Sequence, residues 1–592
     1  MKVKRGASQI LFGFLPEQTV DLENRIWKVR EWVEPSHRQV DDATVRRALV
    51  RAAYPWTQSG NDSGFAADLL AKKEIEVVTL NLGAGVHVDS FPRVWWCKAC
   101  HRTANSPETI CKCGRRQWAQ LHFVGYHECG RIQEPFLRRC PQHNEVRLEF
   151  PGTASAADIR LECPVCGQVL QKGLGMPACQ CGKGRITYNV HRAASVYSPK
   201  TMVIINVASP QQGEALKAAG GGTRALGWIL DGLSSPRATD VGLTRSILLQ
   251  QLAGQGIPAE LASQMADVAE RAGQFNGQQT DDIDALPVDA RAEGEREAVE
   301  VALALDSGRT GTKNLIASTT PESARGRLYR DEYAKALQAA GLEDVELVDR
   351  FPIMTGTFAY TRGDSGPGGA KLIPFRSRAG KYTVYSDIAN TEALFFRLRP
   401  SVVAAWLRAN GAEIAASATE RGGRLAILRV ATIPVAGSET DPPTAGSELV
   451  TLIHSFAHRF IRRTAMYAGI DRNGLAEFLV PLHLGFFVYA TNRGDFVMGG
   501  LQAVFEDELH ELLRDFVTAE HRCALDPGCT HAGAACAACL HLGEPSCRFY
   551  NGYLDRRALS GATGYLTVVR QLIQGEQQPV LAPAGARGVR GT

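Results

Sequence analysis

Fifteen cysteines, gathered into two blocks and mostly arranged as close pairs, constrain this chain more than any other feature. The first block runs from Cys97 to Cys181 and the second from Cys523 to Cys547, with none between. An odd number forbids complete disulfide pairing. Close thiol pairs without a secretion signal point to metal thiolates in a reducing compartment. Met1-Lys-Val-Lys-Arg5 runs into Gly6-Ala-Ser-Gln9 with no long apolar core, and no stretch reaches about 18 consecutive apolar residues. The expectation is a soluble, cytoplasmic protein without a membrane partner.

Cys97-x2-Cys100 is followed by Cys111-x-Cys113, and Cys163-x2-Cys166 by Cys179-x-Cys181, so one unit is written twice. Each half supplies two thiolates on a tight turn, with Gly114, Gly167 and Gly182 placed to let backbone amides curl over sulfur. Four sulfurs at tetrahedral geometry make a closed structural Zn2+ site, so each unit is expected to gather around one zinc. Between the units lie His127-x-Cys129 and Cys140-x2-His143, a candidate third site of two cysteines and two histidines. Arg115, Arg116, Arg138 and Arg139 stand beside these turns, where a basic rim can meet nucleic acid.

The second block offers Cys523, Cys529, Cys536, Cys539 and Cys547, one thiol more than a zinc takes. Cys529, Cys536, Cys539 and Cys547 are the favoured four with Cys523 as competitor, and an iron-sulfur cluster uses the same number of thiolates. Three to four zinc ions per chain are therefore expected. Upstream, Leu449, Leu452, Ile453, Phe456, Ala457, Phe460 and Ile461 trace one apolar stripe of a helix. His454, His458 and Arg462 then fall on the opposite, polar face, and Arg459, Arg462 and Arg463 form a second basic group. The HExxH pattern of metalloproteases is broken by Ser455, so only a set made of His454, His458, His483 and Asp495 offers a metal-dependent hydrolase. The strand Gly485–Tyr489, the loop to Gly500 and a second amphipathic helix through Leu501, Val504, Phe505, Leu509, Leu512 and Phe516 make a phosphate-friendly layout. No GxxxxGK[ST] sequence occurs anywhere in the chain, which argues against an NTPase.

A length of 592 residues predicts about three to five domains. The expected fold class is α+β and multidomain: zinc-ribbon modules, a helical middle domain and a C-terminal α/β zinc-binding domain. The boundaries read as an α/β cap over 1–90, opening on an apolar strand at Ser8–Leu15, and a zinc-ribbon repeat over 91–204. A helical domain spans 205–345 with a mobile Gly/Gln/Asp-rich linker at 274–295. An α+β segment follows at 346–436, then a zinc-binding domain over 447–580 and a loose tail at 581–592. A net charge of +4, from 66 basic and 62 acidic residues, leaves any nucleic-acid affinity to local patches.

Three segments of the C-terminal region carry a resemblance: His454-Ser-Phe-Ala-His-Arg-Phe460, Tyr489-Ala-Thr-Asn-Arg-Gly-Asp-Phe-Val-Met-Gly-Gly-Leu-Gln502, and the run from Cys529 to Leu559. Together they resemble the domain of unknown function at the C-terminus of certain DNA helicases and of the DrmB family, accessory subunits of the DISARM anti-phage system. Residues 6–22, 158–167 and 391–407 also resemble that family. The resemblance implies a subunit without an ATPase of its own, paired with a DrmA-like DNA helicase that supplies it, engaging phage DNA in a system that includes a DNA methyltransferase. A non-catalytic, DNA-binding helicase partner is thus the leading expectation; the hydrolase at His454/His458 and a purely structural zinc scaffold are the rivals.

Overall fold

The computed structural model describes residues 2–3, 13–81, 83–152, 156–205, 210–235, 237–240, 245–271, 281–306, 308–364, 366–434, 442–491, 499–519, 522–543, 546–547, 549 and 551–577. The fold is α+β with clustered cysteines in ribbon-like turns. Two compact units divide the chain, one of Met1–Val207 with Ile353–Ala389, the other of Ala208–Pro352 with Asn390–Thr592. The segment expected as a separate domain over 346–436 therefore contributes to both. Its two long strands, Leu342–Thr361 and Tyr382–Leu398, each begin in one unit and end in the other.

The first unit opens on a four-stranded antiparallel sheet in which Arg25–Trp32 pairs with Thr19–Leu22 and Val86–Ser90. Of the apolar strand expected at Ser8–Leu15, only Gly13, Phe14 and Leu15 lie among the described residues. Helix Asp42–Gln58 is capped by Asp41, whose carboxylate accepts from the amide of Thr44. It buries Val45, Leu49, Ala53 and Trp56 against Val77, Met202, Ile204, Phe358 and Val384. Three small three-stranded sheets follow, with a shared core of Val94, Leu121, Phe123, Val146, Leu148, Ile159, Leu161 and Leu174. So few apolar residues per strand leave much of the order to other ties. One is Gln120, whose buried amide bonds to both backbone groups of Ile26 and to the carbonyl of Pro92.

The second unit is helix-rich. Its helices include Gly221–Leu230, Arg245–Gly254, Ala259–Arg271 and Val288–Leu305. Helix Val288–Leu305 occupies part of the linker expected at 274–295, and residues 274–280 lie outside the described residues. Gly294, one of the glycines of that span, is buried in this helix, where an added Cβ would stand 3.3 Å from Leu428. Helix Ala445–Tyr467 begins with a capping box between Thr444 and Ser447. All seven residues of its predicted apolar stripe are buried. Phe460 packs between Phe396 and Phe516, at 4.5 Å from each. The hairpin Leu475–Val480 and Gly485–Ala490 pairs through Gly485–Tyr489 with Ala393–Arg397. The second amphipathic helix spans Gly500–Thr518, with a π turn at Val504–Glu508. The phosphate-friendly loop before it and Asp495 fall at 492–498, outside the described residues, as does the tail at 581–592. Among the described residues no helix is long and apolar enough to cross a membrane.

Candidate metal centres

Six tight turns in the first unit present ligand pairs, and they come in two designs. In the turns of Cys97-x2-Cys100, Cys140-x2-His143 and Cys163-x2-Cys166, the amides of His101, Asn144 and Gly167 donate to the first ligand's carbonyl. In those of Cys111-x-Cys113, His127-x-Cys129 and Cys179-x-Cys181, the amides of Gly114, Gly130 and Gly182 do so. Each of those six donors has a positive φ, between 51° and 92°. Glycine takes that conformation without cost, and asparagine and histidine tolerate it better than most residues, which is why these types close the turns.

Strand pairing decides which turns meet. Phe123–Tyr126 pairs antiparallel with Thr187–Val190, Tyr126 opposite Thr187, so the turn after the first strand meets the turn before the second. His127, Cys129, Cys179 and Cys181 converge there. Arg147–Glu149 pairs with Arg160–Glu162, Arg147 opposite Glu162, and brings Cys140 and His143 to Cys163 and Cys166. The pairing of Cys97 with Trp118 sets Cys97 and Cys100 against Cys111 and Cys113. This corrects the sequence grouping at two sites: Cys163 and Cys166 do not join Cys179 and Cys181, nor do His127 and Cys129 join Cys140 and His143. Like joins like in those two sites, x2 turn with x2 turn and x turn with x turn, a pattern already present in the spacing. Grouping by nearness along the chain overlooked it because the two sites are nested: the strands beside the inner pair of turns lie between those beside the outer pair.

The second unit gathers Cys523, Cys529, Cys536 and Cys539. Cys523, expected as the competitor, completes this set and Cys547 leaves it. Asp526 builds the turn: it accepts from the amide of Cys523 at 2.9 Å and from the hydroxyl of Thr530 at 2.8 Å, and it forms an ion pair with Arg556.

Donor spacing tests the fit to a metal. Zn–S bonds of about 2.3 Å and Zn–N bonds of about 2.0 Å place the donors of a tetrahedron about 3.8 Å apart for S···S and about 3.5 Å for S···N. The sulfur pairs Cys97–Cys113, Cys129–Cys179, Cys523–Cys536 and Cys529–Cys539 lie at 3.6, 3.7, 3.5 and 3.7 Å. The Nδ1 atoms of His127 and His143 stand 3.5 Å from Cys181 and from both Cys140 and Cys163, respectively. Two sets of four cysteines, and two of three cysteines with one histidine, suit zinc at this size. In two of the sets one sulfur is also prepared for it. Burial opposes ionisation of Cys163, but the amides of Cys166 and Val165 prevail and hold its thiol down at about 6. At Cys536 burial is likewise overcome by the amides of Cys539 and Ala538, to about 7. Room for the metal's ligands is kept by Gly184, whose Cβ would meet Nε2 of His127 at 2.6 Å.

Cys547 belongs to a fifth group, with His454, His458 and Glu477. Both histidines are fully buried, because the helix face opposite the apolar stripe packs inside the protein and does not face solvent. Glu477, in the otherwise apolar strand Leu475–Val480, was missed by sequence reasoning; a lone carboxylate in such a strand is the signal that would have found it. His483 lies elsewhere, its Nε2 at 3.0 Å from the carbonyl of Gly294.

The nominated arginines divide in two. Arg115, Arg116, Arg138 and Arg139 are exposed beside the turns of the first unit, with Arg139 also donating to the carbonyl of Asn144 at 3.1 Å. Arg462 instead donates to the carbonyls of Ala537, Ala538 and His541, around the Cys536-x2-Cys539 turn, and Arg463 pairs with Asp515 at 2.8 Å. Arg459 is half-buried, with Cys539 among the charges acting on it. Within the second basic group, Arg462 thus serves the cysteine turn, Arg463 a local ion pair, and Arg459 and Arg462 stand close enough to the cysteines to offset thiolate charge.

Fold and centres together define an α+β protein with closed, metal-sized tetrahedra of cysteine and histidine. Residues 6–200 match the family described as a domain of unknown function (DUF8724), a span that includes all three candidate centres of the first unit. No curated protein matches the chain.

Proposed function

We propose that this chain is a non-catalytic, zinc-stabilised accessory subunit that contacts the DNA backbone and supports the loading and ATPase activity of a separate, DrmA-like DNA helicase in DISARM-type anti-phage defence. One observation carries the reading. Each of the four cysteine-rich sets has four protein donors, which leaves no position for a catalytic water, and the three in the first unit stand among exposed arginines. Zinc in such sites contributes folding energy, so its role is to hold short, core-poor strands in a shape that presents Arg115, Arg116, Arg138 and Arg139 to phosphates. Two modest affinities, for DNA and for the helicase, then act together through high effective concentration. The hydrolase reading lacks support, since His454 and His458 are fully buried and hemmed in by Glu477 and Cys547.

Titrating the purified chain into its helicase while following ATP turnover tests this reading. The chain alone should hydrolyse no ATP and should raise the helicase's DNA-dependent rate. Intrinsic ATPase that survives rigorous purification, or a helicase rate unchanged at saturating chain, would reject it.

A further inference from the structure

Four donors from three separate stretches of sequence meet inside the second unit, shielded from solvent. His454 and His458 stand one turn apart on helix Ala445–Tyr467, Glu477 comes from the strand Leu475–Val480, and Cys547 from the segment after the Cys536-x2-Cys539 turn. The two histidines and Glu477 are 0 % exposed and Cys547 is 5 % exposed. Nε2 of His454 lies 3.0 Å from Oε1 of Glu477 and 3.4 Å from Sγ of Cys547, and Nε2 of His458 lies 3.5 Å from Oε2 of Glu477. With one ligand atom from each residue the four donors all lie within 4.8 Å of one another, the scale of a tetrahedral shell, whose edges are about 3.3–3.5 Å for bonds of about 2.0 Å to nitrogen and oxygen and about 2.3 Å to sulfur.

The surroundings orient the donors inward. Nδ1 of His458 is 2.9 Å from the carbonyl of Leu540, a bond in which the nitrogen must be the donor. In the neutral ring, Nε2 then turns its lone pair toward the carboxylate, an arrangement that repels unless a metal ion lies between them or a second proton makes the ring cationic. A carbonyl on the far nitrogen is also the usual way in which a metal-bound histidine is held. The amide of Asn551 donates to Sγ of Cys547 at 3.3 Å, as the amide of Cys536 does to Cys539 in the neighbouring turn. The amide of Glu477 donates to the carbonyl of Ser546 at 3.1 Å, which fixes the strand beside Cys547. Charge decides the rest. A buried carboxylate is costly unless compensated, and one divalent cation would neutralise it together with the thiolate that Cys547 becomes on binding the metal, while two neutral imidazoles complete the shell.

We propose that His454, His458, Glu477 and Cys547 bind one Zn2+ in a closed, electroneutral site, a fifth metal centre distinct from the four cysteine-rich ones. Its role is structural. It joins the central helix, the hairpin and the segment that follows the cysteine turn, where four polar groups leave no room for an apolar contact to do the same.

Zinc content of the full-length chain tests it, measured by elemental analysis on wild type, Cys547→Ser and Glu477→Gln side by side. The expected result is that each variant carries one zinc fewer than wild type. Cobalt exchange adds a second reading: the wild-type spectrum minus that of Cys547→Ser should show a tetrahedral d–d band with weaker sulfur charge transfer than a site of four cysteines gives. If Cys547→Ser fails to fold, Glu477→Gln and the wild-type count still decide, because a wild-type chain with its four other centres full should hold five ions. Equal zinc in wild type and a folded variant, or a saturated wild-type content of four, would overturn the proposal.

Discussion

His483 carries a clear pH signature at the scale of one residue. It is fully buried, and desolvation pulls its imidazole down from 6.5 to about 4. The neutral ring donates to the carbonyl of Gly294, while its own amide donates to Glu297. Folding thus excludes a proton that the unfolded chain accepts below about 6.5. The stabilisation is complete above that pH and declines on acidification by about 1.4 kcal/mol per pH unit until the folded ring itself titrates. Denaturant unfolding of wild type and His483→Gln between pH 7 and pH 5 should show the variant with a dependence shallower by about one proton. Identical slopes would contradict the assignment. Residue by residue, sequence identifies donors well where they come in pairs: every cysteine sits in a metal-sized group, as do the histidines of His127-x-Cys129 and Cys140-x2-His143. Glu477 escaped because an isolated carboxylate in a strand gives no spacing to read. The bonds of Arg462 to the turn's carbonyls were not legible, because a guanidinium beside a cysteine turn looks the same in sequence whether it faces phosphate or those carbonyls.

At the scale of elements, the cysteine turns are local and legible, whereas their pairing is made by strands. The turn types at residues 97–182 follow from one- and two-residue spacers and from residues that accept a positive φ. Which turns share a metal follows from the antiparallel register of Phe123–Tyr126 with Thr187–Val190 and of Arg147–Glu149 with Arg160–Glu162. Double variants separate the two groupings. Cys140→Ser with Cys163→Ser should cost one zinc, because both sulfurs serve one site, whereas Cys163→Ser with Cys179→Ser should cost two. The reverse pattern would restore the sequential grouping. Losing either site should also unfold its small sheets, since zinc-binding energy is folding energy there. Helix Ala445–Tyr467 illustrates a different limit. Its apolar stripe was readable by periodicity, yet the opposite face is buried as well, because His454 and His458 find polar partners inside the protein in Glu477, Cys547 and the carbonyl of Leu540.

For the whole molecule, the +4 charge is too small to steer DNA by itself, so the proposed contact with phosphates rests on local surfaces. Domain order along the chain concealed that the two units alternate in sequence, since strands Leu342–Thr361 and Tyr382–Leu398 each serve both. A linear reading of composition detects linkers and helical stretches, but not a strand shared between units. If closed metal centres hold a DNA-contacting surface, the most direct measurement is the salt dependence of duplex binding by the full-length, zinc-loaded chain, wild type against a variant with Arg115, Arg116, Arg138 and Arg139 all changed to Ala. Each phosphate contact contributes about 0.9 to the slope of log affinity against log salt, so the variant's slope should be shallower by about three to four, with the fold and zinc content retained. Binding with unaltered slope and affinity in the variant, or no binding by the wild-type chain at low salt, would contradict it.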